Sequence, residues 1–403
     1  MAATMPMIRR FALVRLLAPA LIGFATVAQD ASHGGRLHVL ELQGTPYERG
    51  FAHGTQLKAE IAELFASWRK DLAGASGVDA DTCVQRLLAA THYDDAVRRW
   101  TPALLDEVHG LAAGAGQPFA TMFAYQLVDE VWAQLPLLFA HKCSTIGLDR
   151  DGDRPALVAQ NLDLPTWMHA HPTVLRIREP DGELEQLVVT VPGLIGANGM
   201  NSRRVAVGVN TVLQLQPCTD GLPVAFVVRG LLSRRDHAAA LHFLQSARHA
   251  SGQAYTIGGP DRALCFEASA GGVVPFVPFA GAQRAFHTNH PVASRDWADR
   301  FASRATAAGV QPEALLRCAR FDELQRRLGD DADAVGIDTV IAVLSSRAPA
   351  PICNQMTYAC TVMLLGDEPE LRIAPGPPDS TAFATLRFGA ATSSGRGGHD
   401  GSR

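Results

Sequence analysis

Hydrophobic and polar positions divide the chain into a helical first third and a strand-rich remainder. Residues 37–42 alternate as a strand. They lead into Gly44-Thr45-Pro46-Tyr47-Glu48-Arg49-Gly50, a turn with proline at a helix-opening position. From 51 to about 69, Ile61, Leu64, Phe65 and Trp68 recur at helical spacing and predict an amphipathic helix, with His53-Gly54 in its first turn as packing or capping residues. Residues 82–115 predict two further helices, the second opening near Pro102 and broken over Gly110 to Gly116. Residues 118–135 predict another. It carries Glu130 among apolar neighbours, the setting of a paired structural carboxylate.

Past Cys143 the period changes to that of strands. Residues 173–177, 184–191 and 204–212 alternate or run apolar with β-branched enrichment. The glycine-rich stretch 192–201 lacks the Gly-x-Gly-x-x-Gly spacing and opens no helix, which excludes a dinucleotide loop. Helices are predicted at 224–232 and 235–246, and strands at 254–257, 263–267, 272–279 and 287–290. Residues 295–328 read as helical and arginine-rich, with Arg317 and Arg320 on a solvated face. Strands at 357–365 and 371–374 close the pattern, and 392–403 is a Gly/Ser-rich tail expected to be disordered.

The segment 141–165 carries the chemistry. Cys143-Ser144-Thr145-Ile146-Gly147-Leu148 is small and β-prone. Asp149-Arg150-Asp151-Gly152-Asp153 supplies turn residues, and Ala156-Leu157-Val158-Ala159 leads back to Asn161 and Asp163. Hairpin pairing would return a carboxamide and a carboxylate to a thiol, the parts of a nucleophilic acyl-transfer site. The same residues also read as a surface hairpin with an incidental buried cysteine. His287 and His290 stand three apart, but nothing follows at a spacing that completes a metal set, so no metal and no cofactor are expected. Asn289 between them is a carboxamide donor at a strand end, suited to an oxyanion.

Composition narrows the classes. Of 403 residues 47% are hydrophobic and the formal net charge is −4, which excludes a disordered chain and leaves no basic footprint for nucleic acid. The seven cysteines include no Cys-x-x-Cys pair, and their odd number leaves at least one thiol unpaired. Arg9-Arg10 and Arg15 precede an apolar run over 16–28 that ends in small residues before Gln29-Asp30. Residues 1–35 therefore read as a leader directing export to the periplasm or outside, against the alternative of a cytoplasmic protein with a misassigned start. That run is too short for a membrane span, and no other stretch is long and apolar enough to cross a bilayer.

Taken in order over 37–388, these landmarks resemble the acyl-coenzyme A:6-aminopenicillanate (isopenicillin-N) acyltransferases and related cysteine amidohydrolases. They comprise Gly44 to Gly50 with His53-Gly54, Glu130, Cys143-Ser144-Thr145, Gln160-Asn161-Leu162-Asp163, Asn201 with Val205-Ala206-Val207 and Asn210, Glu267, the 287–290 tetrad and Ile352-Cys353. The resemblance implies an α+β fold, a four-layer αββα N-terminal-nucleophile hydrolase sandwich of two stacked antiparallel sheets. It implies self-cleavage of the Lys142–Cys143 bond, dividing a helical segment 36–142 from a β-rich catalytic segment 143–390. Cys143 would be the nucleophile, its freed α-amine the base, Asp163 an orienting carboxylate, Thr145 a supporting residue and Asn289 the oxyanion donor. The expected substrate is a small acyl-amide or acyl-thioester, its acyl group passing through a thioester to water or an amine. Two positions depart from the family: Lys142 stands where glycine precedes the nucleophile, and Thr357-Tyr358 where a Ser-Arg pair follows the Ile-Cys motif. Lys142 is the main support for an alternative, an uncleaved and catalytically silent homologue that serves in binding or structure.

Overall fold

The structure, a computed structural model, describes residues 36–134, 143–330 and 335–389. The leader, the C-terminal tail and the Lys142 side of the expected cleavage bond lie outside the described residues. The strands are β1 (His38–Leu42), β2 (Ser144–Leu148), β3 (Leu157–Asp163), β4 (Thr173–Arg178), β5 (Glu185–Thr190), β6 (Asn198–Asn201), β7 (Ala206–Thr211), β8 (Gln253–Gly258), β9 (Ala263–Ser269), β10 (Gly272–Phe276), β11 (Arg284–His287), β12 (Thr357–Leu364), β13 (Glu370–Ala374) and β14 (Ala384–Arg387). They form an eight-stranded sheet ordered β1-β4-β5-β6-β7-β8-β9-β10 and a six-stranded sheet ordered β11-β2-β3-β12-β13-β14. Every pairing is antiparallel except β1 with β4, so the larger sheet is mixed where two antiparallel sheets were expected. That parallel pair needs a long crossover, and the N-terminal helices together with the β2–β3 hairpin supply it.

The two sheets face one another across a partly polar seam. Thr145 on β2 donates to Asn210 Oδ1 on β7 at 2.8 Å, and Gln160 on β3 donates to the Val209 carbonyl at 2.6 Å. Helices cover the outer faces. The N-terminal ones are α1 (Pro46–Gln56), α2 (Lys58–Ser76), α3 (Ala80–Ala90), α4 (Tyr93–Trp100), α5 (Pro102–Ala115), α6 (Phe119–Tyr125) and α7 (Val128–Gln134). With α8 (Val224–Leu232) and α9 (His237–Ser246) they share one apolar core with the larger sheet. On the other side lie α10 (Asp299–Ala307), α11 (Ala319–Leu328) and α12 (Ile337–Leu344). Leu324, Leu328, Val340 and Leu344 of the last two pack with Ile146, Ala159 and Val362 of the smaller sheet. The result is the four-layer αββα sandwich of an α+β fold.

The helices differ from the sequence reading where glycine and short turns decide. Helix α5 runs unbroken through Gly110 and Gly114 and ends only at Gly116, whose φ of 68° is left-handed. Gly110 and Gly114 face α1, and Gly50 and Gly54 of α1 face back. A Cβ on Gly50 would lie 1.8 Å from the Glu107 carbonyl oxygen, and one on Gly110 would lie 2.0 Å from that of Tyr47. These glycines let two backbones touch rather than breaking a helix. The span 51–69 is divided at Leu57 into α1 and α2, and 118–135 into α6 and α7. Helix α1 begins with a capping box between Thr45 and Glu48.

Below this contact, Glu107 accepts from Arg229 Nη1 at 2.6 Å and from Nη2 at 3.0 Å, and Arg49 Nε lies 3.5 Å away. All three side chains are buried, so their charges compensate one another in a dry interior. Arg229 also donates to the Ile195 carbonyl, which joins α5 and α8 to the loop before β6. His53 accepts from the Gly193 N–H of the same loop at 3.2 Å, the packing role expected of it. That loop forms one wall of the site.

Candidate active site

Cys143 stands immediately before β2, and its position follows from the hairpin. Ser144 pairs with Asn161 and Leu148 with Leu157, and the chain turns through Gly152 at φ 55°. This register brings the end of β3 beside Cys143. The Asp163 N–H points at Cys143 Sγ from 3.4 Å, and the thiol lies 3.7 Å from the Asp163 carbonyl oxygen. Asp163 is buried, and its Oδ2 accepts from Asn354 Nδ2 at 2.7 Å. Asn354 is fixed in turn by Thr357 Oγ1 and the Met356 N–H. Asn161 does not join them. Alternation puts its side chain on the same face of β3 as that of Asp163, away from the larger sheet, but one turn of the pleat earlier, where Nδ2 donates to the Leu344 and Ile352 carbonyls at 2.8 and 3.1 Å. The Asn161 carboxamide thus clamps α12 and the Ile352-Cys353 segment.

Thr145 lies two residues on, facing the larger sheet. Its hydroxyl donates to Asn210 and accepts from Thr256 Oγ1 at 3.1 Å, so it ties the two sheets together behind Cys143. Asn289 follows β11, which pairs with β2 so that His287 lies opposite Thr145. Its Oδ1 accepts from Arg320 Nη2 at 2.9 Å, and its Nδ2 donates to the Thr211 carbonyl at 3.0 Å. With Oδ1 so occupied, the carboxamide presents its N–H side towards β7.

Arg320 is the residue the sequence reading misplaced. It is 8% exposed, and its Nη1 donates to the Cys143 carbonyl and to Ser144 Oγ, both at 2.8 Å. One planar fork therefore holds the Cys143 backbone and Asn289 together. Its position was readable: Arg320, Leu324 and Leu328 share a four-residue spacing, which places the arginine on the buried stripe of α11. Arg317, outside the helix, is exposed as expected.

The thiol faces a mostly apolar cavity of about 50 Å³, whose walls include Trp132, Leu162, Met168, Leu194, Val209 and Val228. Burial first, and then the Asp163 carboxylate, push the Cys143 thiol up to about 12, against the opposing Asp163 N–H and Arg320. Such a thiol is protonated at neutral pH and needs a base. Among the described residues no histidine hydrogen-bonds it. His287 is held by Glu267 at 2.8 Å and the Thr288 carbonyl at 2.7 Å, and His290 Nδ1 lies 3.2 Å from Thr288 Oγ1. The two histidines thus have separate partners. Among the described residues no group of three His, Cys, Asp or Glu side chains is placed to hold a metal.

Asp129, which the sequence reading passed over in favour of Glu130, also lines this cavity. Glu130 is the structural carboxylate expected, accepting from the Val224 N–H at 3.0 Å and Ser251 Oγ at 2.8 Å. Asp129 instead accepts from Thr211 Oγ1 at 2.6 Å, and burial pushes its carboxyl up to about 6.

Residues 149–342 match the family described as acyl-coenzyme A:6-aminopenicillanic acid acyl-transferase. Over 263 residues the chain is 27% identical to the 40 kDa form of acyl-coenzyme A:6-aminopenicillanic-acid-acyltransferase from Emericella nidulans, covering 63% of this chain and 69% of that one. Among solved structures it is similar to an N-acylethanolamine-hydrolyzing acid amidase ortholog from Caenorhabditis elegans. That match has 14% identity and a TM-score of 0.41, covering 61% of this chain and 99% of the other. Penicillin V acylase from Agrobacterium tumefaciens matches at 14% identity and a TM-score of 0.39, covering 60% and 86% respectively. The sequence resemblance and the family match agree: over residues 149–342 this chain is similar to the acyl-coenzyme A:6-aminopenicillanic acid acyl-transferases.

Proposed function

We propose that the chain is a self-processing cysteine amidohydrolase or acyltransferase, acting on a linear amide through a thioester on Cys143. The observation that carries this reading is the position of the thiol. It stands at the head of an inner strand and faces an apolar cavity, with Arg320 joining its backbone to the Asn289 carboxamide.

Maturation begins when Cys143 Sγ attacks the Lys142 carbonyl carbon. The peptide C–N bond breaks, the nitrogen takes the thiol proton as the α-amine of Cys143, and water hydrolyses the resulting thioester. An α-amine titrates near pH 8, so it then serves as the base that the surroundings of Cys143 lack. In turnover it takes the thiol proton, and the thiolate adds to the substrate amide carbon. Asn289 Nδ2 donates to the oxyanion as it forms, while Arg320 keeps the carboxamide oriented. The α-ammonium returns its proton to the departing amine, leaving an acyl thioester for water or a second amine to accept. The apolar walls favour a small, largely hydrocarbon acyl group and exclude bulk water from the tetrahedral intermediate.

Acid quenching during turnover of an acyl p-nitroanilide tests the reading. The expected result is an acyl adduct on the peptide that begins at Cys143. Turnover without that adduct, or with the adduct on another cysteine, would overturn it. We also propose that the leader directs export; its removal in the secreted fraction is the corresponding observation.

A further inference from the structure

The cavity that holds Cys143 is mostly apolar, and besides Gln126 and Asp163 its polar lining forms one cluster. Asp129 of α7 enters it beside Gln253 of β8, and Gln253 pairs in register with Thr211 of β7. Thr211 Oγ1 donates to the Asp129 carboxylate at 2.6 Å, the neighbouring Gln253 amide favours its charged form, and Asp129 forms no ion pair among the described residues. The negative charge is thus met by neutral donors alone.

The second observation is independent of the first. Gln253 is 1% exposed, and its Oε1 has no hydrogen-bond partner among the described residues. The amide's orientation is fixed by its neighbours. Ser251 Oγ gives its proton to Glu130, so it can only accept, and Gln253 Nε2 donates to it at 3.1 Å. Asp129 also requires a donor. The NH₂ therefore faces Ser251 and Asp129, and the carbonyl oxygen is left over. A buried acceptor without a partner is costly in a native interior, and such groups mark places where a further group binds.

We propose that Asp129 and Gln253 form an amine subsite of the Cys143 cavity, which binds a substrate whose acyl chain carries a primary ammonium group. An ammonium has three N–H donors and no acceptor. It meets one carboxylate and one amide oxygen here, while the hydrocarbon part of the acyl chain lies along the apolar walls. The positive charge would compensate a carboxylate whose own contacts are neutral donors and which burial disfavours in its charged form. A neutral acyl chain would leave the carboxylate and the Gln253 oxygen facing hydrocarbon. This inference rests on Cys143 being the acyl-accepting thiol.

The test compares p-nitroanilides of short straight-chain ω-amino acids with analogues in which a methyl or a hydroxyl replaces the ammonium. Wild-type protein should show a kcat/KM at least about thirtyfold higher for the amine than for the methyl analogue, as expected for a desolvated charge pair. Asp129→Asn should lower that ratio by at least tenfold, and Gln253→Met should lower it by a smaller factor. A wild-type preference for the methyl or hydroxyl analogue would overturn the subsite. So would an equal loss on all three substrates in Asp129→Asn, which would assign the carboxylate to the Cys143 α-ammonium instead. Failure of the underlying reading is distinguishable, because no anilide of any kind would then be turned over through an adduct on Cys143.

Discussion

Two cysteines flank the residues that organise this site, and their surroundings pull them in opposite directions. Cys143 sits before an inner strand, facing hydrocarbon, with a carboxylate beside it and a thiol pushed up to about 12. Cys318 caps the N-terminus of α11, 3.3 Å from Thr288 Oγ1. Burial raises it as well, but hydrogen bonding to His290, the charge of Arg320, the Thr288 hydroxyl and the Phe321 N–H outweigh that and bring it down to about 6. Resting acidity and catalytic assignment therefore part company. Cys318 is a thiolate at neutral pH yet is not among the residues lining the Cys143 cavity, whereas Cys143 lines it and is dormant. A dormant thiol fits a nucleophile whose base appears only when the chain is cut before it.

The sharpest way to break this contrast is to remove the Asp163 charge, which the proposed mechanism assigns to orienting Cys143. Asp163→Asn retains the shape and the contact with Asn354, and turnover per folded molecule should fall by about a hundredfold or more. An unchanged rate would reduce Asp163 to a turn residue. Asn289→Leu should cost roughly a hundredfold in turnover, about 3 kcal/mol of transition-state stabilisation, with the urea midpoint nearly held. A fall of about 1–3 kcal/mol in stability with turnover intact would instead make Asn289 a strand-end tie to Thr211.

Arg320→Lys sharpens the comparison, because Arg320 contributes to both thiols. An ammonium cannot reach the Cys143 carbonyl, Ser144 Oγ and Asn289 Oδ1 with one rigid fork, so turnover should drop by about tenfold. Turnover equal to wild type would show that the charge alone suffices. The smallest effect concerns Cys318. The thiolate is the reactive form, so alkylation of Cys318 by iodoacetamide should rise with pH through about 6 and level off above 7. Cys318→Ser should abolish that early labelling while changing turnover less than about twofold. Peptide mapping across the pH series reads both outcomes, and a midpoint near the ordinary thiol value of about 8.5 would contradict the assignment.

Much of this arrangement was legible in the chain, because alternation and turn chemistry are local. The hairpin from Ser144 to Asp163 and its Gly152 turn follow from residue type alone, as do β4, β5, β7 to β9 and β12. What the sequence hid depends on partners far away. Asn161 and Asp163 share one face of β3, and only distant partners decide that the Asn161 side chain clamps α12 while the Asp163 carboxylate takes Asn354 and its backbone N–H meets the thiol. Arginines in a helix ordinarily face water, and Arg320 is buried, as Arg49 and Arg229 are, because a distant partner, the carbonyl of Cys143, lies against α11. Gly110 and Gly114 read as breakers because nothing local shows that α1 packs against them. Glu130 drew attention as a carboxylate on an apolar face, yet its neighbour Asp129 is the one turned into the cavity.

The central claim is that Cys143 becomes the N-terminal residue of its own chain and acts from there. Intact mass of the purified protein, with N-terminal sequencing of its parts, tests this most directly. Wild type should separate into a light chain ending at Lys142 and a heavy chain beginning at Cys143, and Cys143→Ala should remain one chain. Wild-type protein that stays a single chain while turning over amides would contradict the account, since the base would then lie elsewhere.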